Sequence, residues 1–183
     1  MGLKNTPVIA TQRLLLRGKR RSDAAGILNY YLDPMVRPWL GGYPPDDLWQ
    51  VRKMVSSNQS VSSFVIIERQ SNKVIGEIDL YNVIQGRLAS IGYILLSEYW
   101  GMGYMTEAAT EILRLGFINM RLDRIRACIM KNNTKSRRLV EKMDFEFEGE
   151  MKEADFGGRV EDVCYYSLSR ERYLAKHNQS TAK

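Results

Sequence analysis

Between Ala89 and Ala109 the sequence changes character twice, and the rest of the chain has to accommodate that change. An apolar run rich in Ile, Leu and Tyr reads as a strand. It breaks at a loop holding Gly101 and Gly103. It resumes with apolar residues at Met105, Ala109, Ile112, Leu113, Gly116, Phe117 and Met120, offsets that share one helical face. Strand, glycine loop and helix N-terminus therefore follow in that order. The first turn of a helix leaves N–H groups unpaired at the positive end of its dipole, and glycines let a ligand approach the main chain. Such a turn can seat phosphate. The other reading is a tight turn ahead of a core helix. No Lys-Ser or Lys-Thr follows Gly103, and Thr106 stands where a third glycine would complete a dinucleotide fingerprint, so neither nucleotide motif is present.

The chain of 183 residues is sized for one domain spanning 1–183, with 44% hydrophobic residues to build its core. No run of ~18 apolar residues predicts a membrane span, and the N-terminus lacks an apolar signal segment, so the expected location is the cytoplasm. Two cysteines, Cys128 and Cys164, both in predicted strands, argue against a disulfide framework. One histidine, His177, in a polar tail, argues against a metal site or a His-based triad. The net charge of +6 admits nucleic acid, an acidic partner or a phosphate-rich cofactor. The basic residues are scattered apart from 17–21 and 121–126, and neither cluster is interleaved with aromatics, which argues against nucleic acid. A myristoylation template at 1–6 and Asn-x-Ser/Thr at Asn58, Asn132 and Asn178 are short patterns that chance supplies.

Along the chain, 11–17 is expected as the first strand. A helix follows, capped by Ser22 and stopped near Asp33 by Pro34. Residues 35–47 hold three prolines, two glycines, Trp39 and Tyr43, and cannot be regular. Trp39 and Tyr43 are candidates to line a binding pocket; Trp39 reads equally as a plug at the core edge. Asp46 is expected to cap a helix over 47–57. Strands follow over 63–69, 73–83 and 89–96, linked by hairpins and so antiparallel. After the helix from Met105, 124–130 is the fifth strand, parallel to the fourth. A helix over 136–143, strands over 145–151 and 160–169 around Gly157-Gly158, and a disordered tail from Ala175 complete the chain.

The loop resembles the cofactor loop of the GNAT superfamily of N-acetyltransferases, which reads Gln/Arg-x-x-Gly-x-Gly/Ala. Gly103 matches, whereas Trp100 and Met105 depart from the general pattern. Tyr-Trp-Gly-x-Gly-Tyr followed by Thr-Glu-Ala is similar to the branch that acetylates ribosomal-protein N-termini. Asn133 to Ser136, then Glu141 to Phe145, form a second block at the family's spacing, with Asp144 replacing a glycine. Asp162 to Leu168 matches the family's ending. The resemblance covers about residues 10–173. It implies an α+β fold: a central, mostly antiparallel mixed sheet of about seven strands flanked by helices, with strands four and five parallel and splayed apart.

The resemblance also implies roles. Acetyl-CoA would be the cosubstrate. Gly101, Met102, Gly103, Tyr104, Met105 and Thr106 would receive its pyrophosphate. Tyr93, Ile94 and Leu95 would offer a strand edge to the amides of pantetheine, which Asn133 and Ser136 would also touch. In this branch a serine near the sulfur is thought to protonate the leaving thiolate, which nominates Ser136; a helix N-cap is its other reading. The tyrosine many relatives carry in the helix after the asparagine is Val140 here, and Cys128 stands where some have a glutamate base. Independently, Glu77 and Asp79 alternate onto one face of a central strand, making them candidates for base or amine recognition, or else part of a solvated face.

These readings converge on direct acetyl transfer to a primary amine, a protein N-terminus first and a polyamine or drug amine second. An acyl-CoA sensor without catalysis is a distinct alternative, a basic nucleic-acid module a third, and a homodimer stays open.

Overall fold

The computed structural model describes residues 5–58, 60–84, 86–155, 158 and 160–180, the last four by backbone alone. Eight strands form one sheet: β1 (Ile9–Ala10), β2 (Leu14–Gly18), β3 (Ser63–Glu68), β4 (Lys73–Ile84), β5 (Leu88–Leu95), β6 (Arg124–Met130), β7 (Glu146–Asp155) and β8 (Val160–Ser169). Their order is β1-β2-β3-β4-β5-β6-β8-β7. Only β5 and β6 run parallel, as expected for strands joined through a helix. Helices are α1 (Ala24–Leu32), α2 (Leu48–Ser57), α3 (Tyr104–Arg114), α4 (Thr134–Lys142) and α5 (Arg170–Ser180).

One core lies between a sheet face and α3, where Ile78, Leu80, Ile91, Ile112, Phe117 and Tyr173 meet. A second lies on the opposite face under α1 and α2, with Ile27, Tyr30, Val51, Val55, Val65 and Ile67. β3 is covered on both sides, which is why it is apolar at nearly every position instead of alternating.

The differences from the sequence reading have local causes. The extra strand is the two-residue β1. β2 begins at Leu14 because Thr11 closes a tight turn, its N–H donating to the Leu14 carbonyl at 2.9 Å and its Oγ accepting from the Leu14 N–H at 2.9 Å. Ser22 does not cap α1. A 3-10 turn over Arg21–Asp23 precedes it, and Asp23 accepts from the Arg20 N–H at 2.7 Å while Arg17 grips its two oxygens at 2.7 and 2.8 Å. Asp47, not Asp46, caps α2, accepting from the Gln50 N–H at 2.7 Å. The stretch expected to be irregular contains a single 3-10 turn, Arg37–Trp39. α3 ends in a π turn, Leu115–Asn119. Residues 175–180 of the expected disordered tail are instead the C-terminal part of α5, a helix anchored where Tyr173 stacks on Phe117 with ring centroids 4.8 Å apart, and 181–183 lie outside the described residues. Gly157 lies outside the described residues.

Two polar assemblies fix the site's surroundings. Thr11 and Arg13, in the turn before β2, grip Glu107 in the first turn of α3. Glu107 accepts from the Thr11 hydroxyl at 2.5 Å, the Arg13 N–H at 2.8 Å and Arg13 Nε at 2.7 Å. These contacts hold the Glu107 carboxyl below its ordinary value against the opposing effect of burial. Under α1, the Lys19 ammonium lies 2.7 Å from Glu77 and 3.4 Å from Asp79. Tyr30 and Tyr31 donate to the two Glu77 oxygens at 2.5 and 3.1 Å. Burial opposes the Lys19 charge, but its carboxylate neighbours outweigh burial and raise its pKa.

Removing the lysine strands a buried carboxylate. Lys19→Met is expected to lower unfolding free energy by about 3–5 kcal/mol, and adding Glu77→Gln to recover much of it, read by urea denaturation. Because folding lowers the Glu107 pKa, its stabilisation is complete above the ordinary value of 4.5 and disappears as pH falls through the folded value. The stability gap between wild type and Glu107→Gln should be constant from about pH 8 to 5 and close below that.

Candidate active site

β5 and β6 pair at Leu88↔Arg124, Ala89↔Ile125 and Ser90↔Arg126, and at no later position. Beyond Ser90 they diverge, while β4 stays paired with β5 as far as Leu95 and β8 with β6 as far as Met130. The facing edges of β5 and β6 are left open. A cleft of about 740 Å³ fills the gap. Its floor is β5 from Ile91 to Leu95 and β6 from Ala127 to Met130. One end is the loop from Tyr99 to Thr106 with the start of α4; the other is the α1–α2 connection, through Met35, Val36, Trp39 and Leu40.

The glycine loop is shaped to present its amides. Gly101 and Gly103 have φ of +76° and +81°, in the left-handed region that other residues enter at a cost. A Cβ on Gly101 would meet nothing within 4 Å, so the loop faces open space. Gly103 caps α3, and its carbonyl accepts from the Glu107 N–H at 3.0 Å. Among the described residues no acceptor meets the N–H groups of 101–106. Arg13 braces the loop from behind, donating to the Met102 carbonyl at 2.9 Å and lying over the Tyr104 ring at 4.2 Å. The free N–H groups fit a diphosphate. So do the cations at the α4 end of the lining, Lys135, Arg138 and Lys142, the first 4.3 Å above the Trp100 ring.

Across the cleft, Asn133 is the N-cap of α4, accepting from the Ser136 N–H at 3.1 Å. Ser136 is thus relieved of capping, and its hydroxyl meets the Tyr93 phenol at 2.7 Å. The Tyr93 oxygen also lies 3.3 Å from the Ser136 carbonyl. Burial pushes the phenol up to about 12, against the opposing effect of its bond to Ser136. A hydroxyl pair therefore bridges the cleft, one partner on β5 and the other on α4.

Of the residues expected from sequence, Trp39, Tyr93, Ile94, Leu95, Gly101, Gly103, Tyr104, Met105, Thr106, Asn133 and Ser136 line this cleft. Met102, 58% exposed, and Tyr43, 96% exposed, do not. Tyr43 sits instead beside Gly158, in the turn between β7 and β8. Glu77 and Asp79 share a face of β4, as the alternation required, but neither lines the cleft, and that face is not solvated at Glu77. Their charges are engaged by Lys19. Sequence reasoning missed Arg13, the phenol of Tyr93 as a chemical group, and Tyr81. Tyr81 lies next to Gly92, where a Cβ would stand 3.1 Å from its ring. Tyr81 is the diagonal neighbour of Gly92, since it pairs with Ser90 and Gly92 pairs with Asp79, so the contact needed the strand register and not the sequence alone. Among the described residues no cluster of His, Cys, Asp or Glu could hold a metal, and no helix is long and apolar enough to cross a membrane.

This geometry has close counterparts. The profile of the acetyltransferase (GNAT) domain matches residues 13–146. The chain is 33% identical over 172 residues to an uncharacterised N-acetyltransferase of Bacillus licheniformis, covering 89% of this chain and 96% of that one. It is 28% identical to the ribosomal-protein-alanine N-acetyltransferase of Escherichia coli, over 79% and 81% of the two chains. A GNAT-family acetyltransferase from Bacillus anthracis superposes with a TM-score of 0.82 at 28% identity, covering 90% of this chain and 99% of that one. The fold is thus shared with a solved acetyltransferase, and the chain belongs to the GNAT family of acetyltransferases.

Proposed function

We propose that this acetyltransferase moves the acetyl group of acetyl-CoA to an α-amine, the N-terminus of a peptide or protein, in one step within a ternary complex. The diphosphate lies on the amides of 101–106, and pantetheine runs along the open edge of β5 from Ile91 to Leu95. That arrangement carries the thioester toward Ser136 and the apex of the splay.

One observation carries the choice of amine: the charged residues lining the cleft are all cations, Lys135, Arg138 and Lys142, while Glu77 and Asp79 are engaged by Lys19. The acceptor therefore arrives neutral or sheds its proton to water. An α-amine, with pKa near 8, is about a tenth neutral at pH 7; an alkylamine, with pKa near 10.4, is neutral in under about a thousandth of molecules. The α-amine starts with an advantage of some hundredfold. The E. coli relative, named for N-acetylation of an alanine of a ribosomal protein, agrees with this choice, since an alanine's amine is an α-amine. A role of Glu77 as base loses support, because its carboxylate is committed to a lysine and two tyrosines.

In the transfer the neutral amine nitrogen attacks the thioester carbonyl, the C–S bond breaks with its electron pair staying on sulfur, and the nitrogen releases one proton to water as the amide forms, balancing the proton that the sulfur takes up to leave as the thiol. Negative charge on that sulfur needs a donor that keeps its proton. With Tyr93 donating its one hydrogen to the Ser136 hydroxyl oxygen, the Ser136 hydrogen is free for the thiolate. The raised Tyr93 phenol stays neutral throughout the working range.

Thiol release from acetyl-CoA should occur with a peptide bearing a free N-terminus and fall at least about tenfold when the same peptide is N-terminally blocked and offers only a lysine side chain. Equal rates would overturn the α-amine assignment. Ser136→Ala should lower kcat about tenfold, roughly 1.4 kcal/mol, with KM for acetyl-CoA nearly unchanged; an unchanged kcat would remove Ser136 from the chemistry.

A further inference from the structure

Resting on the α-amine reading, we infer that the acceptor's first residue carries an apolar side chain, and that a positive charge on that residue is rejected. The cleft has two unlike ends. The cofactor end holds the free amides and the cations of α4. The other end is built on the opposite sheet face, beneath the α1–α2 connection. There the lining is Met35, Trp39, Tyr81, Cys128 and Met130.

Each of these is apolar or neutral. Met35 is 57% exposed and Tyr81 42%, so both large apolar side chains line the cleft with surface still open to an acceptor. Gly92 keeps the β5 surface bare beneath the Tyr81 ring, which leaves the ring room to lie against β5. On β6, Cys128 shares the cleft, and burial pushes its thiol up, so it adds no negative charge. The nearest carboxylates on the same face of β4, Glu77 and Asp79, face Lys19.

A side chain entering this end loses water. An apolar one gains about 25 cal/mol for each Å² covered. A guanidinium or ammonium would lose its hydration with no carboxylate among the lining residues to replace it. The wall thus discriminates by rejection as well as by attraction.

The test is a series of tetrapeptides X-Gly-Ala-Ala with X as Leu, Phe, Ser or Arg, which share one α-amine chemistry and differ in one side chain. Binding of acetyl-CoA is first verified by calorimetry, and kcat/KM is then read from thiol release. Leu and Phe should exceed Arg by at least about tenfold, with Ser between them. Cys128→Glu, checked for folding by circular dichroism, should raise the Arg-to-Leu ratio about tenfold by placing a carboxylate in the wall; the wild-type series decides the matter if that variant does not fold. Arg turned over as fast as Leu by wild type overturns this inference and leaves the α-amine reading standing. Bound acetyl-CoA with no peptide acetylated overturns both.

Discussion

The structure depends on a hydrogen-bond ladder that stops. β5 and β6 share three residue pairs and then part, so two strands in the middle of the sheet each keep an edge that their neighbours would otherwise have satisfied. Unpaired main-chain groups inside a protein are costly unless something meets them. The gap persists because each strand is held from its other side, β5 by β4 and β6 by β8, along almost its whole length. The cleft is therefore a consequence of topology. A parallel pair needs a long crossover, here through α3, and that crossover sets the loop of 101–103 at the open end of the wedge.

What makes the wedge chemically useful is the separation of charge around it. Positive and hydrogen-bond-donating groups gather at one end, in the loop and along α4. Negative groups close by are withdrawn: Glu107 into the grip of Thr11 and Arg13, Glu77 and Asp79 onto Lys19. The loop end of the cleft thus offers amides and cations without an opposing carboxylate, and the other end offers an apolar wall. The Lys19 assembly serves twice. It satisfies buried polar groups under α1, and it keeps two acids of a central strand from charging the cleft.

Much of this was legible in the sequence. Apolar runs, period-two alternation and period-3.6 patterns located β3 to β6, β8 and the start of α3, and the glycines after β5 marked the loop that borders the cleft. The misses were of two kinds. Caps were misplaced by one residue at Asp46 or displaced by a 3-10 turn at Ser22, because which carboxylate captures an N–H depends on the exact path of the chain. The tail was misjudged at 175–180 because its polar composition conceals that it continues α5, a helix whose earlier Tyr173 stacks on Phe117 in the core.

The sequence by itself determined which residues share a face, and so that Glu77 and Asp79 point the same way, that α3 is amphipathic, and that 101–103 can turn with positive φ. Only the tertiary structure decided what those residues meet. Arg13 reaches Glu107 across 94 positions of chain, Tyr93 reaches Ser136 across 43, and Glu77 finds Lys19 from a strand two places away in the sheet. The reason is physical. Periodicity is a property of one segment's backbone, whereas a partner is chosen by the register and spacing of strands that only the folded sheet brings together.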